Sequence, residues 1–382
     1  MKALFNRAAL LKAIKCVAPV VPIRSPKPVL LSVKLSVEDD QTFLEATDLE
    51  ISIKQQVHEV DVMKTGSCLL PFGRFSAILS ESSDVVINVE TTDEGHIVVT
   101  GERSRFKMPS EDVKEYPTTI SDVAKPTCTI ASSVLKRMLS RTVFAADVAS
   151  TRYALNGVLF EVAGKQLKLV ASDGRRLVVS TGQAKKHADP LGEGAHVVPI
   201  KACEVIGRAL PDDETEIQIV LDAAKATFVS PDSTILARLL EGRFPRYNEV
   251  MPNKDSANLT IELPIQMLMQ STRQAALVTN EESRGVDWSI GHGRLTMRAK
   301  AAEVGTSECE MPVSYTGKLA DQLDGSDNKT VEITFDPRYL VDALKTLPVE
   351  SSVTCRLIDH AAAAIFEAEN WVYCVMPLTR DK

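Results

Sequence analysis

NRAALLKAIKCV, residues 6–17, decides the fold, because the chain returns to its pattern twice more. On a helical wheel Leu10, Leu11, Ile14 and Val17 share one face, while Ala8, Lys12 and Lys15 share the other. Similar helix-like segments follow as ASSVLKRMLSRTVFAA (131–146) and PIQMLMQSTRQAAL (264–277), at steps of 125 and 133 residues. A second helical set starts at Phe72 (FGRFSAILSES), Ile200 (IKACEVIGRAL) and Asp336 (DPRYLVDALKT), at steps of 128 and 136. Two sets advancing by nearly the same interval are what three copies of one unit produce.

Strand patterns fill the intervals. VLLSVKLSV (29–37), GVLFEV (157–162) and VDWSI (286–290) each follow the first helix of a copy. FLEATDLEISI (43–53) and KLVASDGRRLVVS (168–180) correspond at an offset of 125, which sets Asp48 against Asp173. Period-two alternation and β-branched residues mark all of these as strands. The expected class is α+β, with three similar domains of two helices packed on antiparallel sheets. Boundaries are expected in ISDVAKPT and MPNKDSAN, giving domains 1–122, 123–253 and 254–382.

Composition excludes several classes. At 44% hydrophobic and 25% charged residues the chain is globular, and no apolar run reaches the length of a membrane span. Arg7, Lys12 and Lys15 interrupt any signal-peptide core, so a cytoplasmic location is expected. Seven scattered cysteines without a CxxC pair read as reduced thiols, and six dispersed histidines offer no metal-ligand spacing. GxxxxGK[ST], GxSxG and GxGxxG are all missing, and the acidic residues form no recognisable pair. No catalytic residue, metal or cofactor is therefore expected. Aromatics at 5% also argue against a single-strand stacking platform.

A net charge of −7 opposes simple attraction to nucleic acid. The distribution answers that objection. Segments 6–17 and 131–146 carry +3 each, 200–210 and 264–277 carry +1 each, and 72–82 and 336–346 balance. The helices thus hold +8 in a chain whose remainder is −15. A single basic helix face is ordinarily just solvated; basic helices throughout an acidic protein fit a DNA-facing surface.

TRYALNGVLFEV (151–162), VASDGRRLVV (170–179), LEGRFPRYNEVMP (240–252) and YCVMPL (373–378) resemble the bacterial DNA polymerase III beta subunit, the replication sliding clamp. KPVL (27–30), TDLEISI (47–53) and GERSRF (101–106) extend the resemblance from Met1 to about Leu378. The resemblance implies a DNA-clamp fold whose head-to-tail homodimer closes into a ring around double-stranded DNA without reading its sequence. Implied protein partners are the DNA polymerase III catalytic subunit, the clamp loader, and other polymerases and repair proteins with short hydrophobic peptides. Because the grip is topological, the negative net charge ceases to count against it.

Carried over by position, the implied DNA contacts are Arg24, Arg74, Arg103, Tyr153 and Lys201, with Lys12 on a pore helix. Such cations position phosphates without reading bases. Leu79 and Ser80 stand where some members have a further basic site. The implied peptide cleft takes Leu155, Ser172, Gly174, Arg175, Arg176 and Leu177 from the second copy. It adds Pro245 and Val250, then Val375, Met376, Pro377 and Leu378 near the C-terminus. For Leu177 and Val375, plain core packing is the competing reading. The implied dimer contacts are Phe106 and Met108 from the first domain with Leu277 and Val278 from the third, burial within one domain being the alternative. The residues also admit a second class of function, a repeat-built protein scaffold that does not encircle DNA. Retention on nicked circular DNA separates the two.

Overall fold

The structure is a computed structural model that describes residues 1–120, 123–148, 153–190, 195–281, 283–323 and 329–379. The expected domain boundary at 122 lies outside the described residues. All six expected helices form: α1 (Arg7–Val17), α2 (Phe72–Glu81), α3 (Ser132–Ser140), α4 (Ile200–Ala209), α6 (Ile265–Ala275) and α8 (Pro337–Leu344). Two single-turn helices, α5 (Tyr247–Val250) and α7 (Ala320–Leu323), were not expected. Asn6 caps α1 by accepting from the Ala8 and Ala9 amides at 2.9 and 3.2 Å. α2, α4 and α6 each start directly after a proline, Pro71, Pro199 and Pro264, that ends a strand. Leu10, Ala13, Ile14 and Val17 form the buried stripe of α1, leaving Ala8, Lys12 and Lys15 exposed.

Three local expectations need correction. α3 stops at Ser140 rather than running to 146, and a 3-10 turn, Val143–Ala145, follows. Ser140 and Thr142 donate their hydroxyls back to the Arg137 and Met138 carbonyls, which competes with helix continuation. Residues 29–37 are not one strand either: Pro28 opens a 3-10 turn, Pro28–Leu31, and the strand begins at Ser32. Segments 43–53 and 168–180 are hairpins, Thr42–Thr47 with Ile51–Gln56 and Gln166–Ser172 with Arg176–Gln183.

Both hairpins turn by the same mechanism. Asp48 Oδ1 accepts from the Glu50 and Ile51 amides, and Asp173 Oδ1 accepts from those of Arg175 and Arg176. The preceding hydroxyls, Thr47 and Ser172, donate across the turn to the Ile51 and Arg176 carbonyls. They also accept the amides of Leu49 and Gly174, residues held at φ +77° and +84°. Side chains two and three residues away thus close each turn, as Asp and Ser or Thr do.

Backbone packing divides the chain into two compact units. The first contains Met1–Lys136, Gly164–Gln166 and Gln183–Leu240; the second contains Arg137–Ala163, Leu167–Gly182 and Glu241–Lys382. The division runs through the second repeat because strands pair between repeats. In the first unit, Ile51–Gln56 pairs antiparallel with Ser233–Arg238 inside a nine-stranded sheet. In the second, Arg176–Gln183 pairs antiparallel with Trp371–Val375, setting Arg176 opposite Val375. The second unit's core gathers Trp288, Phe335 and Phe366 in edge-to-face contacts, with Tyr373 tilted against Phe366.

Candidate functional sites

The second unit assembles the residues expected to form a peptide cleft. Its centre is Arg176, whose Nε donates to Asp173 at 2.9 Å and whose two terminal nitrogens donate to Asp342 at 3.3 Å and the Phe144 carbonyl at 2.8 Å. The planar guanidinium also lies against Tyr339 and Phe144. Three of its five N–H donors are engaged, one on each nitrogen, which fixes the guanidinium as part of the wall. Beside it the Met376 amide donates to the Arg175 carbonyl at 2.9 Å, and the Leu378 amide donates to that of Thr334 at 2.8 Å. The first bond pins the C-terminal segment to the Asp173 turn and the second pins it to the strand Val331–Phe335.

Burial separates floor from surface. Leu155, Ser172, Leu177 and Val375 are buried, so they support the site from beneath; for Leu177 and Val375, core packing is what is observed. Pro377 and Leu378 are half-buried, while Gly174, Arg175 and Pro245 are exposed. Met376 is 47% exposed and Val250 66%, so both present apolar side chains to solvent. A Cβ at Gly174 would meet nothing within 4 Å, so that side stays open. Sequence reasoning missed the anchor of Val250. The Tyr247 phenol of α5 donates to Glu161 at 2.6 Å, and burial together with this carboxylate pushes its pKa up. Only the tertiary pairing across 86 residues reveals that bond.

The expected DNA contacts are mostly in the first unit. Lys12, Arg24, Arg74, Arg103 and Lys201 are all exposed. Lys201 is tied to Asp48 at 2.5 Å, so the turn aspartate also orients this cation. Lys12 borders a groove of about 710 Å³ that includes Arg208, a cation of α4 within the helix charge total but not among the expected DNA contacts. The Tyr153 side chain lies outside the described residues. Along α3, Arg137 is exposed and Lys136 donates to the Leu210 carbonyl at 3.2 Å. Arg141 corrects the helix census, because its side chain is partly buried and donates to the Glu369 carbonyl at 3.2 Å. Burial, with Arg137 nearby, lowers its pKa. This cation serves the fold.

Phe106 and Met108 share one face of Arg105–Pro109, the outermost strand of a five-stranded sheet. Phe106 is exposed, but Met108 is only 5% exposed and packs inside its own fold. Leu277, 79% exposed, and half-buried Val278 sit on the 3-10 turn Ala276–Val278 after α6. All seven cysteines are free. Among the described residues no cluster of three His, Cys, Asp or Glu could hold a metal ion, and no helix is long and apolar enough to cross a membrane.

Three family models match in tandem. They describe the N-terminal, central and C-terminal domains of the DNA polymerase III beta subunit, over residues 1–120, 129–246 and 248–379. The beta sliding clamp of Pseudomonas aeruginosa is 31% identical over 376 residues, spanning 98% of either chain. That of Chlamydia muridarum is 32% identical over 346 residues, spanning 90% of either chain. Among solved structures, the DNA polymerase III subunit beta of Pseudomonas aeruginosa superposes with a TM-score of 0.88 at 29% identity, each chain covered completely. A sliding clamp from the same organism bound to griselimycin gives 0.89 at 29% identity, again over the whole of both chains.

Proposed function

The chain belongs to the DNA polymerase III beta subunit family, the bacterial sliding clamps, and from that premise we propose which of its residues meet DNA, partner peptides and a second copy of itself. It is a processivity factor and not an enzyme: it encircles duplex DNA as a dimeric ring and tethers the replicative polymerase. The clamp loader and other polymerases and repair proteins engage the same ring, in the cytoplasm where the DNA lies.

The observation that carries the DNA reading is the placement of charge. Lys12 and Lys15 on α1 and Arg137 on α3 are exposed in a chain of net charge −7. Solvent-facing cations on helices that bury their apolar stripe elsewhere suit non-specific phosphate contact. We assign Lys12, Arg24, Arg74, Arg103, Tyr153 and Lys201 to that role and add Arg208.

For partner peptides the favoured site is the surface around Met376, Leu378, Gly174 and Val250. It pairs exposed apolar anchors with a rigid wall built on Arg176. Subunit closure is assigned to Phe106, Leu277 and Val278, with Met108 supporting from within. The three domains are assigned to 1–122, 123–253 and 254–382.

Retention on DNA of different topology tests the reading. Loaded protein should stay on nicked circles through a high-salt wash and run off when the circle is cut. Equal loss from circular and linear DNA would favour the scaffold that does not encircle its template.

A further inference from the structure

The hydrogen-bond scheme that pins the cleft occurs a second time, in the first unit. There the Arg238 amide donates to the Glu50 carbonyl and the Leu240 amide to that of Val197, both at 2.9 Å. In the cleft the same roles fall to Met376 with Arg175 and to Leu378 with Thr334. The counterparts keep a steady spacing: Glu50 and Arg175 are 125 residues apart, Val197 and Thr334 137, and both remaining pairs 138. The turns beside these bonds also match, Thr47-Asp48-Leu49 standing for Ser172-Asp173-Gly174. The junction between the first and second repeats therefore has the backbone of the cleft.

Its side chains are apolar at the corresponding places. Leu49 stands where the cleft has Gly174, held at φ +77° and 36% exposed. A leucine in left-handed backbone is strained, and strain of this kind collects at ligand sites. Leu239 and Leu240, both half-buried, replace Pro377 and Leu378. Because the Glu50 carbonyl holds the Arg238 amide, Leu49 and Leu239 are each one residue from a shared hydrogen bond.

We propose that this junction is a second docking position for a short peptide with apolar anchors, the chemistry assigned above to the cleft, on which this inference rests. The position is the weaker of the two. Arg238 stands where the cleft has flexible Met376, and Ile51 where it has Arg176 with its stacked wall. Two ion pairs border it, Lys201 with Asp48 and Arg238 with Glu50, which leaves no net charge to attract a charged peptide.

The test titrates the intact protein with a fluorescein-labelled peptide from the polymerase. Wild type should show two steps, the second at least about tenfold weaker than the first. A Met376→Ala, Leu378→Ala variant should lose the first step and keep the second. Leu49→Asn should weaken the second step about tenfold, the order expected for one leucine's contact, and leave the first unchanged. Asn tolerates the left-handed turn, so the hairpin should persist. A photo-crosslinking form of the peptide should label the segments around Leu49 and Leu240 in the Met376→Ala, Leu378→Ala variant. A single step in wild type that vanishes with the Met376 and Leu378 changes overturns the second position and leaves the cleft standing. Binding untouched by those changes but lost with Leu49→Asn overturns the cleft assignment instead.

Discussion

Arg176 lies against the ring of Tyr339, its guanidinium carbon 4.6 Å from the ring centroid. The two residues come from different repeats, and the contact fixes the wall of the cleft. Asp173, Asp342 and the Phe144 carbonyl each take a hydrogen bond from this guanidinium, which is almost out of reach of water.

Replacing Arg176 with Met should therefore do two things. Two carboxylates lose a buried cation, at a cost of about 3 kcal/mol in unfolding free energy by urea denaturation. Peptide affinity should fall as well, because the wall loses its shape. Arg176→Lys should rescue neither property, since an ammonium can neither fork nor stack. Full rescue by lysine would reduce the role of Arg176 to its charge.

Acid should weaken the third repeat through Glu367. Burial alone would raise its pKa, but hydrogen bonds from Lys254 and Arg356 outweigh that and hold it below the usual carboxylate range. A depressed carboxyl contributes stability that is complete above its unfolded pKa of about 4.3 and disappears as pH falls through the folded value. Glu367→Gln should accordingly be less stable than wild type near pH 7, and the gap should narrow as pH falls below the unfolded pKa of about 4.3 and through the lower folded one. Urea midpoints at several pH values check this; a constant gap would refute the linkage.

Reversing the charges of Lys12 and Arg137 should weaken direct, salt-sensitive association with DNA without splitting the dimer. Each lost phosphate contact should lower the slope of log affinity against log salt by about one. Arg141→Glu serves as the contrast. Because its side chain is partly buried and donates to the Glu369 carbonyl, that change should lower thermal stability more than DNA association.

Phe106→Ala with Leu277→Asp should give a folded monomer by sedimentation velocity, since both side chains are exposed in the single subunit. Met108→Ala should mainly destabilise the first repeat, by about 2–5 kcal/mol as for other buried methionines. A double variant that stays dimeric would move the interface elsewhere.

Met376→Ala with Leu378→Ala should lower affinity for polymerase and clamp-loader peptides together. The loss of two apolar anchors should cost about 2–4 kcal/mol, or roughly 30- to 1000-fold. Fluorescence anisotropy reads both peptides, and a selective loss of one would mean they occupy different surfaces.

Local information in the chain was enough for the repeat, for six helices and for the match of Asp48 with Asp173. Each of these depends on residues a few positions apart: a 3.6-residue stripe, a side chain capping its own turn, a proline closing a strand. What those signals could not say is which side of an element ends up covered. Arg141 belongs to a basic helical pattern yet is partly buried and bonded to the Glu369 carbonyl, and Met108 shares a strand face with exposed Phe106 yet is buried. The wall of the cleft needs Arg176 to meet Asp342 across 166 residues, and the pinned tail needs Met376 to reach Arg175. Burial and ion pairing are set by neighbours that only strand pairing between repeats brings close, and periodicity along the chain carries no record of them.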